Sequence, residues 1–314
     1  VEQDRHQHPS GNGPARVSTA APTARPVREE AFLAHRPMLL SLAYRLLGSV
    51  HDAEDTVQDA YLRWSADERD TVENPAAFLT TTVTRLALDR LRSAAVRREA
   101  YVGAWLPEPL PTGPQDLAET AALRDSASIA MLVLLDRLSP AERAVFVLRE
   151  AFELPYDEIA AILERSAASC RQLHHRAMRH VAAGPRPVPA PDPVRGRQLV
   201  QSFLSAAQSG DLGRLTAILR DDVVLTTDGG GKVQGAGRRP ILGAAKSARL
   251  FAAVFARHYQ RAVFHAVRFN HAPALLIEAG DRRVLYVFDF AADGLISNVY
   301  AIINPDKLAH IAAD

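Results

Sequence analysis

Residues 154–179 read Leu154-Pro155-Tyr156-Asp157-Glu158-Ile159-Ala160-Ala161-Ile162-Leu163, then Glu164-Arg165-Ser166, then Ala167-Ala168-Ser169-Cys170-Arg171-Gln172-Leu173-His174-His175-Arg176-Ala177-Met178-Arg179. A short helix with Ile159, Ala160 and Leu163 inward meets a three-residue turn, where Ser166 is placed to cap a second helix. Cys170, Leu173 and Ala177 recur at helical spacing and form the buried face of that second helix. Ser169, Arg171, Gln172, His175, Arg176 and Arg179 are left outward. No Asp or Glu occurs between Arg165 and Pro191, so this helix is a cationic stripe in a chain whose net charge is only +1. The spacing is that of a helix-turn-helix whose second helix enters the major groove. There arginine reads guanine edges, glutamine reads adenine, and the other cations neutralise phosphate. A solvated helical hairpin has the same spacing, and the motif alone leaves that alternative open.

Upstream the pattern is also helical. Phe32, Leu39, Leu40, Leu42, Ala43, Leu46 and Leu47 recur along a first helix that Gly48 stops. A second begins after Ser49 and runs through Asp52-Ala53-Glu54-Asp55-Thr56-Val57-Gln58-Asp59-Ala60-Tyr61-Leu62-Arg63-Trp64, with its acids off the apolar side. A polar loop, Ser65 to Glu73, precedes Asn74-Pro75, a cap with proline at the first helical position. The third helix carries Phe78, Leu79, Val83, Leu86, Ala87 and Leu91 inward, with Arg85, Arg90, Arg92, Arg97 and Arg98 against the acidic Asp89.

The 314 residues are 47% hydrophobic and 23% charged, enough for two or three globular domains with real cores. A net charge of +1 excludes a uniformly basic protein, so any nucleic-acid surface is local. The single cysteine, Cys170, excludes an internal disulfide and suits a reducing compartment. The longest uncharged apolar stretch, Ser126 to Leu135, is about half of the roughly 20 residues a membrane-spanning helix needs. The reading is therefore a cytoplasmic protein. Residues 1–28 read as a disordered tail, 29–100 as a helical domain, 101–125 as a Pro-rich linker and 126–183 as the helix-turn-helix domain. Residues 184–194 form a second linker. Residues 195–314 differ in kind: two helical stretches, a helix near Ala244 to His258, and strand candidates Val223–Thr227, Ala262–Phe269, Ala274–Glu278, Val284–Phe290 and Ile296–Ile303. Helices followed by strands predict an α+β domain with a curved sheet.

The acidic helix 52–64, the basic helix 85–92 and the helix-turn-helix, in this order, resemble regions 2 and 4 of the extracytoplasmic-function sigma factors of bacterial RNA polymerase. The resemblance covers roughly residues 30–100 and 126–182. It implies that Asp52, Glu54, Asp55, Gln58 and Asp59 dock on the β′ clamp helices of core RNA polymerase, with a further contact on the β flap. It also implies that Arg85, Asp89, Arg90 and Arg92 serve the opened −10 promoter element, where a cationic groove holds single-stranded DNA. Ser169, Arg171, Gln172, His175, Arg176 and Arg179 would read the −35 element as duplex.

The last block resembles the SnoaL-like, cone-shaped α+β barrels. Sigma factors with this extension form a subgroup, sigma factor J-like, with three landmarks, all found here: Trp105-Leu106-Pro107-Glu108-Pro109-Leu110, Asp228-Gly229-Gly230-Gly231-Lys232, and Asn304-Pro305-Asp306-Lys307-Leu308. Taken singly they read as a stiff spacer, a glycine turn and a post-strand turn. Taken together they imply an extension that contacts the sigma core and tunes its activity within the chain, without a dedicated anti-sigma factor. A small-molecule effector in the barrel fits the same scheme; no cofactor or metal is expected. Asp228, His265, His271, Asp289 and Tyr300 are the polar groups that an enzyme of related shape would use, but their spacing singles out no base with its partner. The fold expected is thus multidomain: two all-α domains and a C-terminal α+β barrel, in a promoter-specificity subunit that is not an enzyme. Two alternatives stay open, a free-standing helix-turn-helix regulator and a SnoaL-like enzyme fused to a DNA-binding module.

Overall fold

A computed structural model describes residues 24–66, 72–99, 101–112, 128–183, 191–233 and 236–311. Most of the expected N-terminal tail, the middle of the loop Ser65 to Glu73, the side chains of Arg97 and Arg98, the end of the first linker and most of the second lie outside the described residues.

Helix α1 (Ala24–Leu47) begins inside the stretch read as a disordered tail, which is a correction to that reading. The indole of Trp64 explains the early start: its Nε1–H donates to Arg28 O at 2.9 Å, and the Arg28 guanidinium lies 4.8 Å from its ring centre. Gly48 ends α1 at φ +70° and is followed by α2 (Val50–Ala66), whose Asp52 amide donates to Ser49 Oγ. α3 (Pro75–Glu99) starts as expected, with Asn74 Oδ1 accepting from the Ala77 amide. After the linker come α4 (Ile129–Asp136), α5 (Pro140–Glu150), α6 (Tyr156–Leu163) and α7 (Ala167–Ala182). A reciprocal cap between Ser139 and Glu142 fixes the start of α5.

The two helical units read as separate share one apolar core. Leu39, Leu42, Leu46, Val57, Leu79 and Leu86 of α1–α3 are buried in the same cluster as Val145, Phe146, Ile159 and Leu173 of α5–α7. Within α6 it is Ile162 that is buried with Ile159 and Ala160; Leu163, expected inward, is half-buried.

The C-terminal unit comprises α8 (Pro193–Ser209), α9 (Leu212–Ile218), β1 (Leu219–Asp228), β2 (Ile241–Leu242), α10 (Ala244–His258), β3 (Val263–Phe269), β4 (Ala272–Ala279), β5 (Arg282–Phe290), β6 (Ile296–Ile302) and α11 (Pro305–Leu308). Its sheet runs β2-β1-β6-β5-β4-β3, antiparallel except where β1 pairs parallel with β6. Both faces are buried, against different partners. Leu275, Ile277, Tyr286, Phe288, Val299 and Ala301 face α8–α10, while Ala274, Leu276, Leu285, Val287, Tyr300 and Ile302 pack against Leu106 of the linker and Ile129 and Ala130 of α4. Period-2 alternation in β4–β6 therefore sorts side chains into an intradomain core and an interdomain one.

Candidate nucleic-acid interface and the interdomain latch

The helix-turn-helix is built as its sequence dictates. Glu164 takes a left-handed conformation (φ +53°) to turn the chain, and Ser166 Oγ accepts from the Ser169 amide at 3.2 Å. Cys170, Leu173 and Ala177 are buried; Arg171, Gln172, His175, Arg176 and Arg179 are exposed, and Ser169 is half-buried. Two of these side chains have protein partners. Arg171 lies 5.6 Å from the Tyr156 ring centre, and Arg176 pairs with Glu142 of α5 at 3.3 Å. His174, between them in sequence, is fixed by Tyr156 Oη and Glu150 Oε1, both at 2.9 Å, and so orients α7 on its scaffold.

The residues expected to serve the −10 element are less free. Arg85 donates to the carbonyls of Ile162 (3.0 Å) and Ala161 (3.2 Å) and pairs with Glu164 at 3.0 Å, which joins α3 to the helix-turn-helix. Arg90 lies among the acids of α2, 2.7 Å from Asp59, 3.6 Å from Asp55 and 3.9 Å from Asp52. Asp89 pairs with Arg92 on the exposed side. Of the five residues expected to dock on polymerase, Glu54 and Gln58 are exposed with no side-chain partner among the described residues, whereas Asp52, Asp55 and Asp59 surround Arg90.

The three landmark segments meet at one buried site. Asp228 is fully buried and accepts from Tyr101 Oη (2.5 Å), the Leu106 amide (2.8 Å), the Gly230 amide (3.0 Å) and Lys307 Nζ (2.7 Å). Lys307 also donates to Leu106 O, and its ammonium sits 4.2 Å from the Trp105 ring centre. Desolvation, with the neighbouring Asp228 carboxylate, pushes the Tyr101 phenol well above its ordinary range, so it serves as a neutral donor. A buried pair of this kind is held by its completeness: removing one partner leaves an uncompensated charge.

The glycines of Asp228-Gly229-Gly230-Gly231-Lys232 make close packing possible. A Cβ on Gly230 (φ +59°) would sit 2.6 Å from Asn304 Cγ, and one on Gly229 would run into Ala236. Asn304 Nδ2 donates to Tyr101 Oη, Asn304 Oδ1 caps Asp306, and Asp306 pairs with Lys232 at 2.5 Å. Pro305 opens α11, which brings Lys307 to Asp228. On the other side of the linker, Trp105 covers Gly48, where any Cβ would lie 2.8 Å from the indole, and Pro107 is buried.

Sequence reasoning missed the second half of this contact. Glu108 receives the Val50 and His51 amides on Oε2 and so caps α2 from the linker; its own amide donates to Gly48 O. Tyr44 of α1, fully buried, donates to Glu108 O at 2.6 Å and accepts from Asn270 Nδ2 at 3.0 Å. Asn270 and His271, both at positive φ, form the two-residue turn between β3 and β4, and Asn270 Oδ1 accepts from the Leu110 amide at 2.8 Å. Tyr44 and Asn270 are 226 positions apart. The sequence carries one cue to it, the place of Glu108 inside the proline-rich segment 105–110.

The polar groups considered for catalysis do not converge. A cavity of about 1410 Å³ opens beside α10 and the β4–β5 turn, lined among others by Thr227, His258, Tyr259, Glu278, Arg283 and Tyr286. None of Asp228, His265, His271, Asp289 or Tyr300 lines it. Asp289 and Tyr300 lie on the sheet face turned to α4, with Tyr300 Oη donating to Asp289 at 3.0 Å. Burial raises the Asp289 carboxyl to about 6, with the Tyr300 hydrogen bond opposing the rise. His265 pairs with Glu278 at 3.3 Å.

Comparison with known proteins fits this geometry. The sigma-70 region 2 family matches residues 31–97 and the sigma-70 region 4 family residues 128–181. The ECF RNA polymerase sigma factor SigJ of Mycobacterium tuberculosis is 47% identical over 206 residues, 64% of this chain and 65% of that protein. The ferric citrate uptake sigma factor FecI of Escherichia coli is 33% identical over 51% of this chain and 92% of its own length. The aligned stretch thus spans just under two thirds of SigJ. The crystal structure of the M. tuberculosis extracytoplasmic function sigma factor SigJ superposes with a TM-score of 0.72 at 32% identity, covering 90% of this chain and 98% of that one. With both sigma regions in order and an extension that reproduces the SigJ architecture, the chain belongs to the extracytoplasmic-function sigma factors.

Proposed function

We propose that the chain binds core RNA polymerase and directs it to promoters with defined −10 and −35 elements, and that its C-terminal domain holds it in a closed form until it is released. The observation that carries this reading is the shared core: α3 and α6 are in hydrogen-bonding contact through Arg85. Elements labelled −35 and −10 lie roughly 25 base pairs apart, on the order of 80 Å of duplex. One compact core does not span that distance, so promoter engagement requires regions 2 and 4 to part. Two features support control in cis. The linker that must extend is pinned by Asp228 and Lys307, and its Glu108 caps the helix proposed to dock on polymerase. Such a latch leaves no task for a dedicated anti-sigma protein. The cavity beside Lys232 and Leu308 is the proposed seat of a small-molecule effector, since its wall includes both latch segments.

The test is run-off transcription from the chain's own upstream region with core polymerase. The double variant Glu54→Lys, Gln58→Lys changes the exposed side of α2 without touching Arg90. Loss of transcript with an unchanged melting temperature supports the docking role; full activity refutes it.

A further inference from the structure

From Gly229 to Ile277 the chain has eight Lys and Arg residues and no Asp or Glu. The whole chain carries 37 cations against 36 anions, so everything outside this stretch sums to −7. Six of the eight, Arg238, Arg239, Lys246, Arg249, Arg257 and Arg261, are exposed, and none of the six makes an ion pair or side-chain hydrogen bond among the described residues. Unlike Arg85, Arg90 and Arg176, they neutralise no acid among the described residues.

Helix α10 arranges three of them. Lys246, Arg249, Ala253 and Arg257 fall within an arc of roughly 80° at 100° per residue, so the cations form a stripe about 16 Å long. Every exposed residue of α10 is Ala, Lys, Arg or His. Its buried side, Ala244, Ser247, Ala248, Phe251 and Phe255, packs on the sheet face opposite to the one that meets the linker and α4. The stripe therefore looks away from the latch and is accessible in the closed form.

We propose that this face of α10 binds the phosphate backbone of duplex DNA, a third DNA contact besides those of regions 2 and 4. Charge complementarity selects a polyanion. The exposed alanines let a backbone approach closely, and a face without an aromatic or large aliphatic anchor lacks what a protein interface uses to hold its partner. At a rise of 3.4 Å per nucleotide, the stripe matches about five phosphates along one strand. The contact is sequence-independent: it adds affinity and on-rate to promoter DNA that the sigma regions select.

The test uses the full chain and a labelled 30-base-pair duplex of scrambled sequence, with affinity measured between about 50 and 200 mM salt. Each lost phosphate contact flattens the plot of log K against log salt by about 0.9, so Lys246→Gln, Arg249→Gln, Arg257→Gln together should lower the slope by roughly 2–3. The charge-keeping variant Lys246→Arg, Arg249→Lys, Arg257→Lys should keep the slope within about 0.5, and unchanged circular dichroism melts confirm that both variants fold. An unchanged slope in the Gln variant overturns the proposal. So does an unchanged slope with weakened binding to core polymerase, which would assign the stripe to an acidic protein surface. Because the duplex carries no promoter and the salt slope is read without polymerase, that slope stands apart from the sigma reading, which the α2 variant tests.

Discussion

Lys307→Met removes one partner of the buried pair while keeping the length of the side chain. In the native chain Lys307 is 6% exposed, with its ammonium 2.7 Å from Asp228 and bonded to Leu106 O. Without it the Asp228 carboxylate keeps three donors, Tyr101 Oη and the amides of Leu106 and Gly230, but no countercharge. Breaking a buried pair in this way costs about 3–5 kcal/mol. At about 1.4 kcal/mol per decade, the linker opens some 10²–10⁴ times more often relative to closing. Hydrogen exchange reads this directly, since the Leu106 amide donates to Asp228 and the Glu108 amide to Gly48 O. Protection of both should fall by two decades or more, while the amides of β4 and β5 keep theirs. Run-off transcription by the same variant should rise if the latch restrains the factor. Adding Asp228→Asn, which removes the stranded charge, should restore much of the protection. A fall of less than tenfold in a normally folded variant, or a double variant as costly as the sum of the single changes, would refute the claim that the pair holds the linker.

Tyr44→Phe removes the donor to Glu108 O and one acceptor of Asn270 Nδ2 in the buried junction between α1, the linker and the β3–β4 turn, and should lower stability to chemical denaturation by about 1–3 kcal/mol. Gly230→Ala meets both a left-handed backbone and the Asn304 side chain; thermal unfolding should show at least the 1–2 kcal/mol or so of the conformational term alone. Asp289 is raised to about 6 by burial, so the folded state favours its protonated form. Its contribution is therefore complete below about pH 4 and is lost as the pH rises through about 6, on the order of 3 kcal/mol in all. The Asp289→Asn variant should flatten the rise of melting temperature on acidification across that window. Arg171→Ala and Gln172→Ala should each weaken −35 binding by roughly 1–3 kcal/mol with little effect on a scrambled site; an equal loss on both would reduce them to phosphate contacts.

The local elements were legible because their causes are local. Gly48, Asn74-Pro75 and Ser166 stop and start helices through their own conformational limits and side-chain caps, and the structure places them in those roles. Alternation in β5 announced a sheet with two faces, but not that one face belongs to the linker and α4. The start of α1 is not legible, because the tail's composition has no apolar period, whereas the Trp64–Arg28 contact that holds its first turns is tertiary.

The order of the helical regions, the helix-turn-helix and the three segments that meet at Asp228 are all legible in the linear pattern. The elements follow from periodicity, capping and short motifs, each contained within a few turns of chain, while the family follows from the resemblance those motifs carry. Tertiary structure alone decided that regions 2 and 4 share a core, that Arg85 and Arg90 are engaged within it, and that Glu108, Tyr44 and Asn270 join three parts of the chain. Those pairings span up to 226 positions. What fixes them is the requirement that each polar group leaving water finds a partner, and a linear pattern does not record which distant partner it finds.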